Sequence, residues 1–174
     1  IIRVHHRRSA VFMTSQSSPS AAPAPRRILF ITNIPSPYQI DFFTALSARP
    51  EVEIDVLFCA ASENDRQFTV PDNLSFPATV LDSHRLPGTP KDWHRVPHFD
   101  RILEQHQPFD VAVLSGSYFM PAIRTARRFM IRRGIPWYYW GENPRKKPGT
   151  GWKTQLREAW LRRFLAPATG VLGV

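Results

Sequence analysis

The side chains best suited to chemistry gather in three short stretches, each directly behind an apolar run. Asn33, Ser36 and Tyr38 follow Ile28 to Ile31, Ser115, Gly116, Ser117 and Tyr118 follow Asp110 to Leu114, and Gly141, Glu142 and Asn143 follow Ile135 to Trp140. Glu142 is the acid–base candidate. At the end of a buried strand its carboxylate can accept hydrogen bonds from ligand hydroxyls or act as a general base; a turn carboxylate is the plainer alternative. Ser115, Ser117 and Tyr118 offer hydroxyls around a glycine, where backbone can approach a ligand closely, although Tyr118 serves equally well as a packing residue. Asn33 is a polar group at the first strand end, and Tyr38 reads more readily as core than as a ligand contact.

Other chemistries lack their signatures. The chain has no Gly-x-Ser-x-Gly, no GxGxxG and no GxxxxGK[ST], so a serine hydrolase, a dinucleotide enzyme and a P-loop ATPase are all disfavoured. His5 and His6 lie near the start, and His84, His94, His98 and His106 show no tight ligand spacing, with Cys59 the sole cysteine. No metal and no bound cofactor are expected.

The three stretches need a scaffold that brings them together. Ile28 to Ile31 suits a strand buried on both faces. Ser36 as N-cap, Pro37 at the first helical position and Gln39 as the partner in a Ser-x-x-Gln capping box start a helix, whose apolar face is Tyr38, Phe42, Phe43, Ala45 and Leu46. Val52 to Phe58 is a second strand and Ala78 to Leu81 a short third, with mostly loop from Ala60 to Pro97. A helix from His98 to His106 leads to a strand at Asp110 to Leu114. The next helix carries Phe119, Ala122, Ile123, Ala126, Phe129 and Met130 on one face and stops at Gly134. After the strand Ile135 to Trp140, a last helix is expected to bury Trp152, Leu156, Ala159, Trp160 and Phe164, ahead of a sixth strand at Val171 to Val174. Strands alternating with helices predict an α/β fold, a doubly wound Rossmann-like parallel sheet with ligands outside the carboxyl ends of its strands. Those ends are the three polar stretches.

The 174 residues, 43% hydrophobic and 21% charged, suit one domain, and no run nears the roughly 18 apolar residues of a membrane span. Residues 1 to 26 read as a disordered leader with Met13 as the plausible start, the domain as residues 27 to 174, and the apolar run ending at Val174 as a point where the chain is cut. The formal charge of +9 is uneven: residues 28 to 119 carry a net −6 and residues 120 to 174 a net +10. Arg124, Arg127, Arg128 and Arg132 are expected to face away from the core, and with Arg145, Lys146 and Lys147 they form a surface for an anionic partner, a membrane first. Solvated helix faces are the plain alternative. Nucleic acid is disfavoured, because the aromatic residues at Trp137, Tyr138 and Tyr139 fall in a buried strand.

Taken as an ensemble, Ile28-Leu29-Phe30-Ile31-Thr32-Asn33-Ile34-Pro35-Ser36-Pro37-Tyr38, Phe109 to Tyr118, and Gly134 to Pro144 resemble the N-terminal domain of the GT-B retaining glycosyltransferases, in the group that includes glycogen synthase-like and lipopolysaccharide glycosyltransferases. The resemblance covers about residues 27 to 174. It implies one half of a two-domain enzyme, the half that holds the glycan or lipid-linked acceptor, with the nucleotide-sugar donor bound by a second domain whose motif has no counterpart here. The fragment alone is then expected not to turn over nucleotide sugars, and a cytoplasmic location, peripheral to the inner membrane face where the acceptor is lipid-linked, follows. Many members carry a glycine-rich loop after the first strand; here Pro35 and Pro37 stand in it, and proline offers no N–H to a phosphate. Acceptor shaping is the role left to that loop. A GT-B nucleotide-sugar epimerase fragment and a non-catalytic module for anionic surfaces are the alternatives.

Overall fold

A computed structural model describes residues 23–62, 73–85, 88, 93–141 and 151–173. In chain order the elements are β1 (Arg26–Thr32), α1 (Pro37–Ser47), β2 (Val52–Phe58), β3 (Ala78–Val80), β4 (His84–Arg85), β5 (His94–Arg95), α2 (Phe99–Gln105), β6 (Val111–Ser115), α3 (Pro121–Arg133), β7 (Trp137–Gly141), α4 (Trp152–Leu165) and β8 (Gly170–Gly173). Six strands form one sheet in the order β3-β2-β1-β6-β7-β8, and every neighbouring pair is parallel. This is the expected α/β, Rossmann-like architecture. Within the stretch expected to be loop, β4 and β5 pair as a short antiparallel ribbon. Arg26, assigned to the leader, belongs to β1, where it stands opposite Val52; residues 1 to 22 lie outside the described residues.

Alternation along β1 sorts its side chains between two cores. Leu29 and Ile31 join Leu57, Ala112, Leu114, Trp137 and the buried faces of α2 and α3, while Phe30 joins Ile54, Val56, Phe58, Val113 and Phe43 of α1. Helices thus cover both faces. Along α3 the buried stripe is Ala122, Ile123, Ala126, Phe129 and Met130, as its spacing predicts, but the helix begins at Pro121 and leaves Phe119 in the preceding turn. Gly134 ends it in the left-handed region at φ 65°, and the Ile135 N–H closes the turn on Met130 O at 3.0 Å.

Two helices differ from expectation. In α1 the residues turned to the sheet are Gln39 and Phe43, with Leu46 partly buried, whereas Tyr38 is 55% and Phe42 42% exposed. The cause is the Gln39 side chain, whose Nε2 donates to Thr32 Oγ1 at 2.8 Å and so turns that row inward. No capping box forms. The Gln39 N–H donates to the Ser36 carbonyl at 3.0 Å, and the Ser36 hydroxyl makes no cap bond. In α4 only Phe164 is buried; Trp152 is 70%, Leu156 52% and Trp160 48% exposed, so the face expected to enter the core stands in solvent.

Cys59, at the carboxyl end of β2, is fully buried, and loss of solvation pushes its thiol up to about 12. The protonated thiol therefore favours the fold below the ordinary thiol range, and that contribution is lost as pH rises through the folded value. Native Cys59 is expected to react with a thiol-specific reagent at pH 8 at least about 10³-fold more slowly than in urea, because labelling must await opening. Rapid native labelling would show that the β2 end is accessible.

Candidate functional site

The strand order reverses between β1 and β6, since the chain runs from β1 to β2 on one side and later inserts β6 on the other. Loops diverge at such a point, and a crevice opens outside the carboxyl ends. Two of the predicted stretches meet there. Asn33 from the β1 loop lies against Gly116 from the β6 loop, so closely that a Cβ on Gly116 would overlap Asn33 Oδ1. Gly116 holds φ +124°, a backbone conformation that side-chain-bearing residues rarely adopt.

The β1–α1 turn carries an unusual concentration of unsatisfied polar atoms. Asn33 Oδ1, Ser36 Oγ and Gln39 Oε1 are all buried and take no hydrogen bond among the described residues. Burying such atoms unpaired costs about 1–3 kcal/mol each. Their chemistry is specific: two are amide oxygens, which only accept, and the third is a hydroxyl, which does both. As a set they are suited to accepting hydrogen bonds. Phosphate at neutral pH is chiefly an acceptor, and Pro37 at the start of α1 removes one of the amides that would have served it.

Around the crevice, second contacts fix the backbone. The Tyr139 hydroxyl donates to the Gly116 carbonyl, Met120 packs 3.4 Å from the position of a Gly116 Cβ, and the Ala60 N–H donates to the Asn33 carbonyl at 2.9 Å. Thr32, Gln39 and Tyr139 were not among the predicted site residues. Thr32 was legible as the one hydroxyl closing an apolar strand. Gln39 was hidden behind its capping role, and Tyr139 behind its place in a buried strand.

The other predicted residues disperse. Ser115 and Tyr38 line a hollow of about 800 Å³ on the α1 face of the sheet, which Gln39 shares, with Phe42, Trp140 and Leu172 among its walls. Ser117 sits in the turn before α3, where its carbonyl accepts from the Met120 N–H at 2.9 Å. Tyr118 turns toward α4: its ring lies 4.3 Å from Phe119 and 6.1 Å from Phe164, and its hydroxyl accepts from Arg157 Nε at 3.0 Å. Gly141 ends β7 above the Tyr139 ring. Glu142, Asn143, Arg145, Lys146 and Lys147 lie outside the described residues.

The arginines of α3 do not form one free face. Arg132 pairs with Asp100 at 2.9 Å; Arg127 donates from Nε to Phe164 O at 2.8 Å and from Nη2 to Arg163 O at 3.2 Å. Burial, then the neighbouring charges of Arg124 and Arg163, holds the Arg127 guanidinium below its ordinary value. Their partners are distant in sequence: an acid on α2 and the carbonyl end of α4. Histidines are likewise scattered, with His106 paired to Asp55 and Ser83 Oγ 3.3 Å from His94 Nδ1. Among the described residues, no group of three or more His, Cys, Asp and Glu could hold a metal ion.

What the geometry establishes is an α/β domain with a Rossmann-like, all-parallel sheet, with Asn33 and Gly116 in contact where the strand order reverses. Comparison with protein-family models, with curated proteins and with solved structures returned no match.

Proposed function

We propose that this domain is the acceptor-binding half of a sugar-transferring enzyme of GT-B type, and that the crevice between the β1 and β6 loops receives hydroxyls of a glycan or lipid-linked acceptor. One observation carries the reading: three buried oxygens, Asn33 Oδ1, Ser36 Oγ and Gln39 Oε1, stand unpaired among the described residues at a topological switch point. A polyol is the ligand class that supplies several donors at short spacing. The prolines of the same loop argue against a phosphate cradle, which agrees with a donor nucleotide held elsewhere. The resemblance of the β1, β6 and β7 stretches to GT-B N-terminal domains suggests the reaction class, and the unpaired oxygens support an acceptor-binding role within it.

The test is ligand-observed NMR of the chain with a panel of mono- and oligosaccharides, and with a free nucleotide and inorganic phosphate as contrasts. Glycans are expected to receive saturation and the contrasts not. Asn33→Ala should weaken glycan binding about three- to tenfold, the worth of one hydrogen bond. Binding of nucleotide or phosphate in the crevice, with glycans silent, would overturn the assignment. Transfer of a labelled sugar from a nucleotide sugar to the glycan so found, by the gene product, separates a transferase from an epimerase and from a non-catalytic module.

A further inference from the structure

Helix α4 presents an apolar row that stands exposed from Trp152 to Trp160 among the described residues. From Trp152 to Trp160 every residue except Thr154 is exposed, and Trp152, Leu156 and Trp160 follow one another at intervals of four. Such a row drifts only about 40° around the helix per step, so the three side chains share one face. Phe164 continues it, and there alone the row enters the core, with its ring 5.8 Å from Trp137 and 5.5 Å from Tyr139. The Arg127 guanidinium clamps the same end by donating to the carbonyls of Arg163 and Phe164. The helix is seated at its C-terminal end and open along the rest.

The polar residues beside this row have one sign. Lys153, Arg157, Arg162 and Arg163 oppose a single acid, Glu158, which lies 3.8 Å from Arg162. Where the row reaches the domain, a hollow of about 150 Å³ opens between α3 and α4, lined by Trp160, Arg163, Arg124, Arg127 and Arg128 with Tyr118 and Phe119. Arg124 and Arg128 are exposed. Cations gathered round a small hollow at the foot of a tryptophan-bearing face match a phosphate group attached to an apolar body.

We propose that α4 lies in the surface of an anionic bilayer, with Trp152, Leu156 and Trp160 inserted at the headgroup boundary and the hollow at Arg124, Arg128 and Arg163 receiving a lipid phosphate. The indoles suit that boundary because each has an apolar body and one N–H donor. The long basic side chains can lay their stems along the apolar layer and return their charge to the headgroups. Without its apolar row a charged patch would bind by attraction alone and release in salt; with it, part of the binding survives salt. The inference is independent of the crevice and its ligand.

The experiment is co-sedimentation of the full chain with vesicles of phosphatidylcholine, and of phosphatidylcholine mixed with phosphatidylglycerol, at low and high salt, together with quenching of tryptophan emission by lipids brominated on the upper acyl chain. Binding to the mixed vesicles, quenching by the brominated lipid and partial retention in high salt are expected. Trp152→Gln with Trp160→Gln should lower partition about tenfold or more and leave circular dichroism unchanged, since both residues are exposed. Arg124→Gln with Arg128→Gln should reduce the preference for anionic over neutral vesicles several-fold, the cations of α4 keeping the rest. Equal partition of the tryptophan variant and the parent, or absence of quenching, would overturn the proposal. So would sedimentation equilibrium showing a dimer that the tryptophan variant dissolves, because a second copy would then be what covers the row.

Discussion

Phe43→Ala is expected to remove about 3–5 kcal/mol of stability, the usual cost of deleting a fully buried aromatic ring. The ring is 0% exposed and central to a cluster of aromatic side chains, 4.9 Å from Phe30, 5.5 Å from Phe76, 6.3 Å from Trp140 and 6.4 Å from Phe58. Deletion leaves a cavity that the rigid sheet below cannot close. The loss is also local to the site. Gln39 and Phe43 are the buried residues of α1, so without the ring the helix is held to β1 chiefly by the bond from Gln39 to Thr32. Urea denaturation should show a midpoint shifted with little change in slope, and thermal melting a fall of about 10 °C or more. Phe42→Ala, at a position 42% exposed, should cost much less. A Phe43→Ala loss below about 1 kcal/mol would mean that α1 is seated by something other than its ring.

The sheet was legible because its strands are short apolar runs separated by helical periods, a pattern that survives without any tertiary information. All six predicted strands entered one parallel sheet. What periodicity could not decide was which helical face turns inward. In α1 two overlapping rows were available, one beginning at Tyr38 and one at Gln39, and the hydrogen bond from Gln39 to Thr32 selected the second. Hydrophobicity alone favours the first. In α4 the row from Trp152 to Phe164 looked like a core face because exposed tryptophans are rare on monomer surfaces; only the tertiary contacts reveal that Phe164 alone is enclosed.

The site was legible by location and not by residue. Alternating strands and helices marked the strand ends as the place to look, and there the structure brings Asn33 against Gly116. Tyr118 went the other way because an aromatic at a turn follows the largest apolar surface within reach, here Phe119 and Phe164. Sequence spacing could not show the partners of the α3 arginines for a related reason. Charge patterning along a chain sees neighbours a turn away, whereas Asp100 reaches Arg132 from another helix.

Gly116→Ala is the substitution expected to act most strongly on the crevice, and it separates two physical causes. The backbone at φ +124° is strained for any residue with a Cβ, which costs about 1–3 kcal/mol wherever that side chain points. Here the added methyl would also overlap Asn33 Oδ1, forcing the amide out of the position in which it would accept from a ligand. Gly134 supplies the contrast, since it too has a positive φ, +65°, yet has nothing within 4 Å of an added Cβ. Gly134→Ala should therefore cost stability alone, about 1 kcal/mol, and leave glycan binding intact. Gly116→Ala should lose stability and at least about tenfold in glycan affinity, because the displaced amide also disturbs its neighbours in the turn. A double-mutant cycle with Asn33→Ala isolates the overlap: with the amide gone the clash is relieved and the strain remains, so the pair should show a coupling of about 0.5–3 kcal/mol in stability. Strict additivity, or unchanged glycan binding by Gly116→Ala in a folded protein, would show that Asn33 and Gly116 do not meet in solution as they do here, and the crevice would lose its role as the acceptor site.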